Sequence, residues 1–240
     1  MQRIKWEPLE EKLGTWAKKI KPFWEEGGFD VIYEFLKNEG KRGAKIAPLS
    51  LDTYKVFQKV DISNVNVIVL GMDPYSKFVD GIPIANGIGF DCANTGKLQP
   101  SLEQFYNAIE KDVYNGLALD RVMFPDLEFM CGEGILLLNS ALTVEKDKPG
   151  SHSEIWKPFI QYLFENVFRY MDVPIIYLGK NAQYFRKFSY NKKLDFSLSH
   201  PASASYSKTN WDGEGVFKTV TDIVYKNNGV KLEWMEQLPF

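Results

Sequence analysis

The chain has 240 residues and carries 29 Lys and Arg against 31 Asp and Glu, a net charge of −2 at neutral pH. With 45% hydrophobic, 15% aromatic and 25% charged residues, its composition excludes a disordered or collagen-like chain. The near-neutral balance also excludes a uniformly basic nucleic-acid coat, while leaving room for a local basic face.

In chain order, the first pattern is helical. Asp30 is placed to cap a helix carrying Ile32, Phe35 and Leu36 that stops at Gly40, and Lys41–Ala47 follows as a basic loop. Val65–Leu70 is short, β-branched and apolar on both alternating faces, the signature of a strand covered by helices on both sides. Ser101-Leu102-Glu103-Gln104 reads as a capping box, with Leu102, Phe105, Ile109 and Val113 at helical spacing behind it. Ile135–Leu138 reads as a second strand, its brevity and the preceding Gly134 weighing against buried helix. Ser153–Tyr170 places Ile155, Phe159, Leu163 and Val167 on one helical face, with Pro158 expected in the first turn. Val173–Leu178 and Asp195–Leu198 complete four strands.

No stretch resembles a linker, a repeat or a low-complexity segment. One α/β domain over residues 1–240 is therefore expected. Residues 1–60 form a helical lead-in and residues 61–225 a core built on a four-stranded parallel sheet between helix layers. The start, MQRIKWEPLEEK, lacks the apolar stretch of a signal peptide, and no apolar run approaches the roughly 20 residues a membrane span needs. The expectation is a soluble, cytoplasmic protein.

Metal and cluster chemistry is disfavoured by the ligand inventory. Only Cys92, Cys131, His152 and His200 are soft ligands, no C-x-x-C is present, and an iron–sulfur cluster needs four thiolates. Neither a phosphate-binding G-x-x-x-x-G-K-[ST] nor a nucleophile-elbow G-x-S-x-G occurs. No cofactor and no metal are expected.

Each strand ends in an abrupt polar cluster. Gly71-Met72-Asp73-Pro74-Tyr75-Ser76 follows the first and Asn139-Ser140 the second. Gly179-Lys180-Asn181 follows the third, and Ser199-His200-Pro201 the fourth. Ligands of open α/β sheets bind outside the carboxyl ends of the strands, so these clusters should share one crevice. Each residue also has a structural reading: Asp before Pro opens turns, Asn caps them, and Tyr75 and Phe90 could be core aromatics. Together, a carboxylate, an amide and an imidazole at strand ends suit a metal-free reaction.

These residues carry a family resemblance. Gly71–Ser76 resembles the GQDPYH motif of family 1 uracil-DNA glycosylases, Gly134–His152 their LLLNxxLTV…SH segment, and Ser199–Ser205 their HPSPLS segment. Gln99-Pro100-Ser101 is similar to their proline-serine turn, and Gly87–Phe90 to the stretch bearing the uracil-stacking Phe. Ile46–Leu49, with Tyr54 and Phe57, resembles the segment before their sheet. The resemblance implies hydrolysis of the uracil N-glycosidic bond in single- or double-stranded DNA after the nucleotide is flipped out. It makes Asp73 and His200 catalytic and places Met72, Tyr75, Phe90 and Asn139 around the uracil. It assigns DNA contacts to Pro100, Ser101, Ser199, Ser203, Ala204 and Ser205.

This chain departs from the family pattern in several places. Met72 replaces Gln, Ser76 replaces His, and the loop Ser76–Gly87 is longer than usual. Ala204 stands where the family has the Leu that wedges into the gap left by the flipped base, with Tyr206 the first alternative occupant and Lys208 suited to phosphate. The alternative functions are a catalytically weak glycosylase-fold module gripping DNA or a replication partner, and a glycosylase for a 5-modified uracil. A monomer is expected, with a replication protein or proteinaceous inhibitor as candidate further contacts. The divergent motifs hint at a viral or phage source, with localisation in the host cytoplasm.

Overall fold

The structure, a computed structural model, describes residues 3–116, 120–207 and 209–238, apart from the side chains of Ser205 and Tyr206. The lead-in folds into α1 (Trp6–Leu13), α2 (Ala17–Glu25) and α3 (Gly28–Lys41), followed by the short strand β1 (Ile46–Ala47) and α4 (Lys55–Lys59). The first turn of α3 begins earlier than Asp30. Its N-cap is Gly27 (φ 81°), and the Asp30 carboxylate instead accepts the Ile4 N–H at 2.7 Å, tying down the chain start. Part of the expected basic loop is therefore β1, which pairs antiparallel with β7 (Val144–Glu145).

The central sheet contains β2 (Val67–Gly71), β6 (Ile135–Asn139), β8 (Ile175–Leu178) and β9 (Asp195–Leu198), in the order β6-β2-β8-β9, all parallel. Every residue of β2, β6 and β8 is buried. A strand exposes alternate side chains to opposite faces, so both faces must be covered, which explains the unbroken apolar runs. The cover is helical: α5 (Pro100–Tyr114), α6 (Glu128–Gly132), α7 (Ser153–Asn166), α8 (Gly179–Gln183), α9 (Pro201–Ser207) and α10 (Val216–Asn228). Two small antiparallel pairs lie outside the sheet, β3 (Phe78–Val79) with β4 (Ile82–Pro83), and β5 (Arg121–Val122) with β10 (Glu236–Gln237). The long loop after Ser76 is thus a hairpin, turned by Asp80 and Gly81, both at positive φ.

Two local expectations change. α5 starts at Pro100, a preferred first helical position, with Gln99 as N-cap and no side-chain cap; Ser101 is already inside the helix. α7 ends at Asn166, and Phe168–Tyr170 is a separate 3-10 turn. Pro158 falls in the second turn of α7 rather than the first. The carbonyl it leaves without an N–H partner belongs to Glu154, which is exposed to water.

The lead-in shares the sheet's core. Phe159 of α7 is fully buried and packs on Phe23 (ring centroids 5.3 Å), Phe29 (5.2 Å), Phe57 (6.1 Å) and Trp156 (6.0 Å), so one ring joins three lead-in elements to the sheet cover. Phe159→Ala should lower unfolding stability by about 3–5 kcal/mol, because a large void opens between several elements. The midpoint of a urea unfolding curve checks this; a shift equivalent to under about 1 kcal/mol would show that the lead-in does not depend on this ring.

Candidate active site

The site is built where strands end. β2 and β6 pair in parallel with Gly71 opposite Asn139, so the last residues of both strands stand side by side. A Cβ on Gly71 would lie 2.6 Å from Asn139 Oδ1, and only glycine leaves room for that amide. Beyond the sheet the two exits stay joined. Ser140 N–H donates to the Gly71 carbonyl (3.0 Å), while Ser140 Oγ (2.8 Å) and Ala141 N–H (2.9 Å) donate to the Met72 carbonyl. Asp73 follows at once and accepts the Gly150 N–H at 2.5 Å. Burial pushes the Asp73 pKa up to about 6, with that N–H pulling the other way.

The segment Gly87–Phe90 lies against the end of β6, with Gly89 N–H donating to the Leu137 carbonyl at 2.8 Å. A Cβ on Gly89 would crowd that carbonyl at 3.0 Å. Phe90 has φ 65°, an uncommon conformation for a bulky residue, and is held in it by the next side chain. The buried Asp91 carboxylate accepts from Asn86 Nδ2 (2.7 Å), Ala93 N–H (2.8 Å) and Leu127 N–H (2.8 Å). The Phe90 ring stacks on Phe105 (5.2 Å, 10°) and on His200 (5.5 Å, 24°). Trp211 continues the column beyond Phe105 (6.4 Å, 21°).

His200 Nδ1 accepts the Ala202 N–H at 3.1 Å, so the neutral ring carries its proton on Nε2. Burial pushes its pKa down to about 4. Gly179, at φ 83°, makes room for it, since a Cβ there would sit 3.0 Å from His200 Cβ. Tyr75 shares a hydrogen bond of 2.9 Å with Ser101 Oγ, which fixes its ring against the first turn of α5.

A supporting layer went unnoticed in the sequence. Thr143 Oγ1 accepts from Trp156 Nε1 (2.7 Å) and pairs with His152 Nδ1 (2.9 Å), and His152 Nε2 faces Glu39 at 3.6 Å. Burial lowers the pKa of His152. Arg42 bridges Glu39 and Glu145, and Ser151 Oγ accepts the Glu145 N–H at 2.9 Å. These contacts hold the turn that presents the Gly150 N–H to Asp73. No local motif announces them, because Glu39 and Arg42 lie more than a hundred residues from Glu145 and His152 in the chain.

Met72, Asp73, Tyr75, Phe90, Asn139 and His200 are therefore gathered at the carboxyl end of the sheet. The proposed DNA-contact residues divide. Pro100, Ser199 and Ser203 are exposed. Ser199 accepts the Trp211 indole N–H at 2.9 Å, and Ser203 donates to the His200 carbonyl at 2.7 Å. Ser101 is buried and bonded to Tyr75, and Ala204 is 5% exposed with its methyl in the core. The side chains of Ser205 and Tyr206, and the whole of Lys208, lie outside the described residues. Among the described residues no group of three or more His, Cys, Asp or Glu is placed to hold a metal ion. Chemically, the site offers a carboxylate ionised above about pH 6, a neutral N–H donor, a two-sided amide and an aromatic face.

Comparison with known proteins agrees on one family. The family model described as the uracil DNA glycosylase superfamily matches residues 57–223. The chain is 29% identical over 195 residues to the uracil-DNA glycosylase of Borrelia hermsii, covering 80% of this chain and 84% of that one. It is 27% identical over 226 residues to that of Vibrio campbellii, covering 93% and 96%. Among solved structures, mimivirus uracil-DNA glycosylase superposes with a TM-score of 0.81 at 18% identity, over 97% of this chain and 90% of that one.

The hydrogen bond to Nδ1 and the burial of His200 should keep its ring neutral, with the proton on Nε2, down to about pH 4. Nitrogen-detected NMR titration of the two histidines checks this. An imidazolium signal from His200 at pH 6 would contradict the geometry.

Proposed function

The chain belongs to the uracil-DNA glycosylase superfamily, and from that premise we propose that it hydrolyses the N-glycosidic bond of deoxyuridine in DNA, leaving an abasic site. The observation that carries the reading is the meeting of Asn139, Asp73, Phe90 and His200 at one sheet end. A base in duplex DNA is hidden by stacking, so it must be flipped out, at a cost of a few kcal/mol.

Asn139 then reads the base edge, its amide NH₂ donating to O4 and its carbonyl accepting from N3–H. Cytosine reverses both positions and would leave buried polar groups unpaired, about 1–3 kcal/mol for each. Tyr75 meets C5, where its ring excludes the thymine methyl, and the bond to Ser101 gives the ring a fixed position. A base stacking on Phe90 competes with the His200 ring already stacked there.

As the bond breaks, the sugar gains positive and the base negative charge. Asp73, ionised, stabilises the first and orients the attacking water. His200, neutral, donates from Nε2 to O2 of the departing uracil. The buried Ala204 methyl fills no base-sized gap, which supports a preference for single-stranded DNA, where no gap forms. Pro100, Ser199 and Ser203 are the exposed candidates for backbone contacts. A mimivirus neighbour is solved in complex with UGI, and a proteinaceous inhibitor is a candidate partner of this chain. The chain is read as one domain, residues 1–240, which the core shared between lead-in and sheet around Phe159 supports, and as a monomer.

The direct test is incubation with single- and double-stranded oligonucleotides carrying one uracil, followed by alkali cleavage at abasic sites. Asp73→Asn should bind DNA normally and lose several orders of magnitude in kcat, and His200→Ala should lose roughly 10²–10³. Wild-type rates in both variants would remove the mechanism. Since the Asp73 pKa is raised to about 6, its active ionised form predominates above that value. The kcat/KM profile should then fall tenfold per unit below about pH 6, with no second limb from His200 until about pH 4. A rate that is flat from pH 7 to pH 5 would show that ionised Asp73 is not required. Tyr75→Ala should release thymine from oligonucleotides, and no thymine release with uracil excision intact would place Tyr75 away from C5.

A further inference from the structure

A second surface lies at the opposite pole. β8 and β9 run parallel for four residues each, ~13 Å of rise, so their amino ends face away from the catalytic end. There, a groove of about 350 Å³ has an apolar floor including Phe168 and Val173, with Arg169, Tyr170, Asn191 and Tyr190 along its sides. Tyr170 is 72% exposed and Tyr190 75%, unusual for aromatic rings with no catalytic task. The Arg169 guanidinium carbon sits 5.2 Å from one ring centroid and 5.5 Å from the other, bracketed between them.

The neighbouring segment 184–193, YFRKFSYNKK, holds four cations and no acid in a chain whose net charge is −2. Lys187 lies over Tyr184 (3.8 Å) and Phe188 (4.8 Å), repeating the pairing of a cation with an aromatic face. The segment is held in place from below. The buried Asp195 carboxylate accepts from Ser189 Oγ (2.8 Å) and Tyr177 (3.1 Å), with Arg186 at 3.6 Å. One carboxylate, Asp172, lines the groove and is bonded to Asn191 at 2.9 Å.

We propose that this pole is an auxiliary binding site for unpaired DNA, with bases stacking on Tyr170 and Tyr190 and phosphates beside Arg169 and Lys193. Exposed rings alternating with cations are what a single strand requires: every base has a face to stack, and every phosphate a charge to neutralise. A duplex would keep its bases stacked and leave the rings without partners. Nothing in the groove selects a base, so binding is independent of sequence and of uracil. The site would hold a long single strand while the catalytic end samples it, and its binding does not depend on the excision chemistry.

The test is fluorescence anisotropy with a long labelled oligothymidylate, which contains no uracil. Tyr170→Ala/Tyr190→Ala should weaken binding about tenfold or more, and Arg169→Glu should weaken it and flatten its salt dependence. All three positions are exposed, and circular dichroism confirms folding. In excision assays, KM on a long single-stranded uracil substrate should rise, while kcat, and kcat/KM on a short uracil oligonucleotide, stay unchanged. Unchanged affinity in both variants would overturn the proposal and leave the excision reading standing. Equal losses on short and long substrates would also overturn it, because the residues would then be acting on the catalytic end.

Discussion

The in-register pairing of β2 with β6 is the constraint on which the site depends. It brings Gly71 level with Asn139, and the absence of a side chain on Gly71 gives the Asn139 amide its place. Slipping the pair by one residue would set a side chain in place of Gly71 against the Asn139 amide, so close packing at this level fixes the register. Asp73 inherits its position from the same pairing, because the Met72 carbonyl is held by Ser140 and Ala141 beyond the end of β6. The Asn139 amide and the Asp73 carboxylate are thereby set on one rigid frame, the kind of pre-organisation that electrostatic catalysis uses.

His200 lies between β9 and α9, with its ring against Phe90 and its proton location set by the Ala202 N–H. Behind Phe90, the rings of Phe105 and Trp211 form a column, and the Trp211 indole returns to Ser199 beside His200. Each stacked pair contributes about 0.5–1.5 kcal/mol beyond its burial.

Charge is distributed to match this division. The two groups central to the chemistry are pushed by burial in opposite directions, Asp73 up to about 6 and His200 down to about 4. Near neutral pH that leaves a carboxylate and a neutral donor together, the pair needed for a reaction that separates positive from negative charge. Cations meanwhile cluster at the far pole, away from Asp73 and His200.

Much of this was legible in the chain. The four strands were marked by apolar runs too short for helices, and the polar clusters behind them pointed to one crevice because parallel strands all end on the same side. The strand-end clusters put Asp73, Asn139 and His200 forward as candidates, and the family resemblance added Phe90. The cap of α3, the start of α5 and the second-turn position of Pro158 did not, because they were decided by partners distant in sequence. Ile4 took the Asp30 carboxylate, and Tyr75 took the Ser101 hydroxyl. The inward turn of Ala204, the His200 ring lying on Phe90, and the layer from Glu39 through His152 to Gly150 were likewise invisible. Sequence determines local periodicity and which chemical groups are available. Only the tertiary structure decides which buried donor meets which acceptor, because each such group must find a partner and the nearest in space is seldom the nearest in the chain.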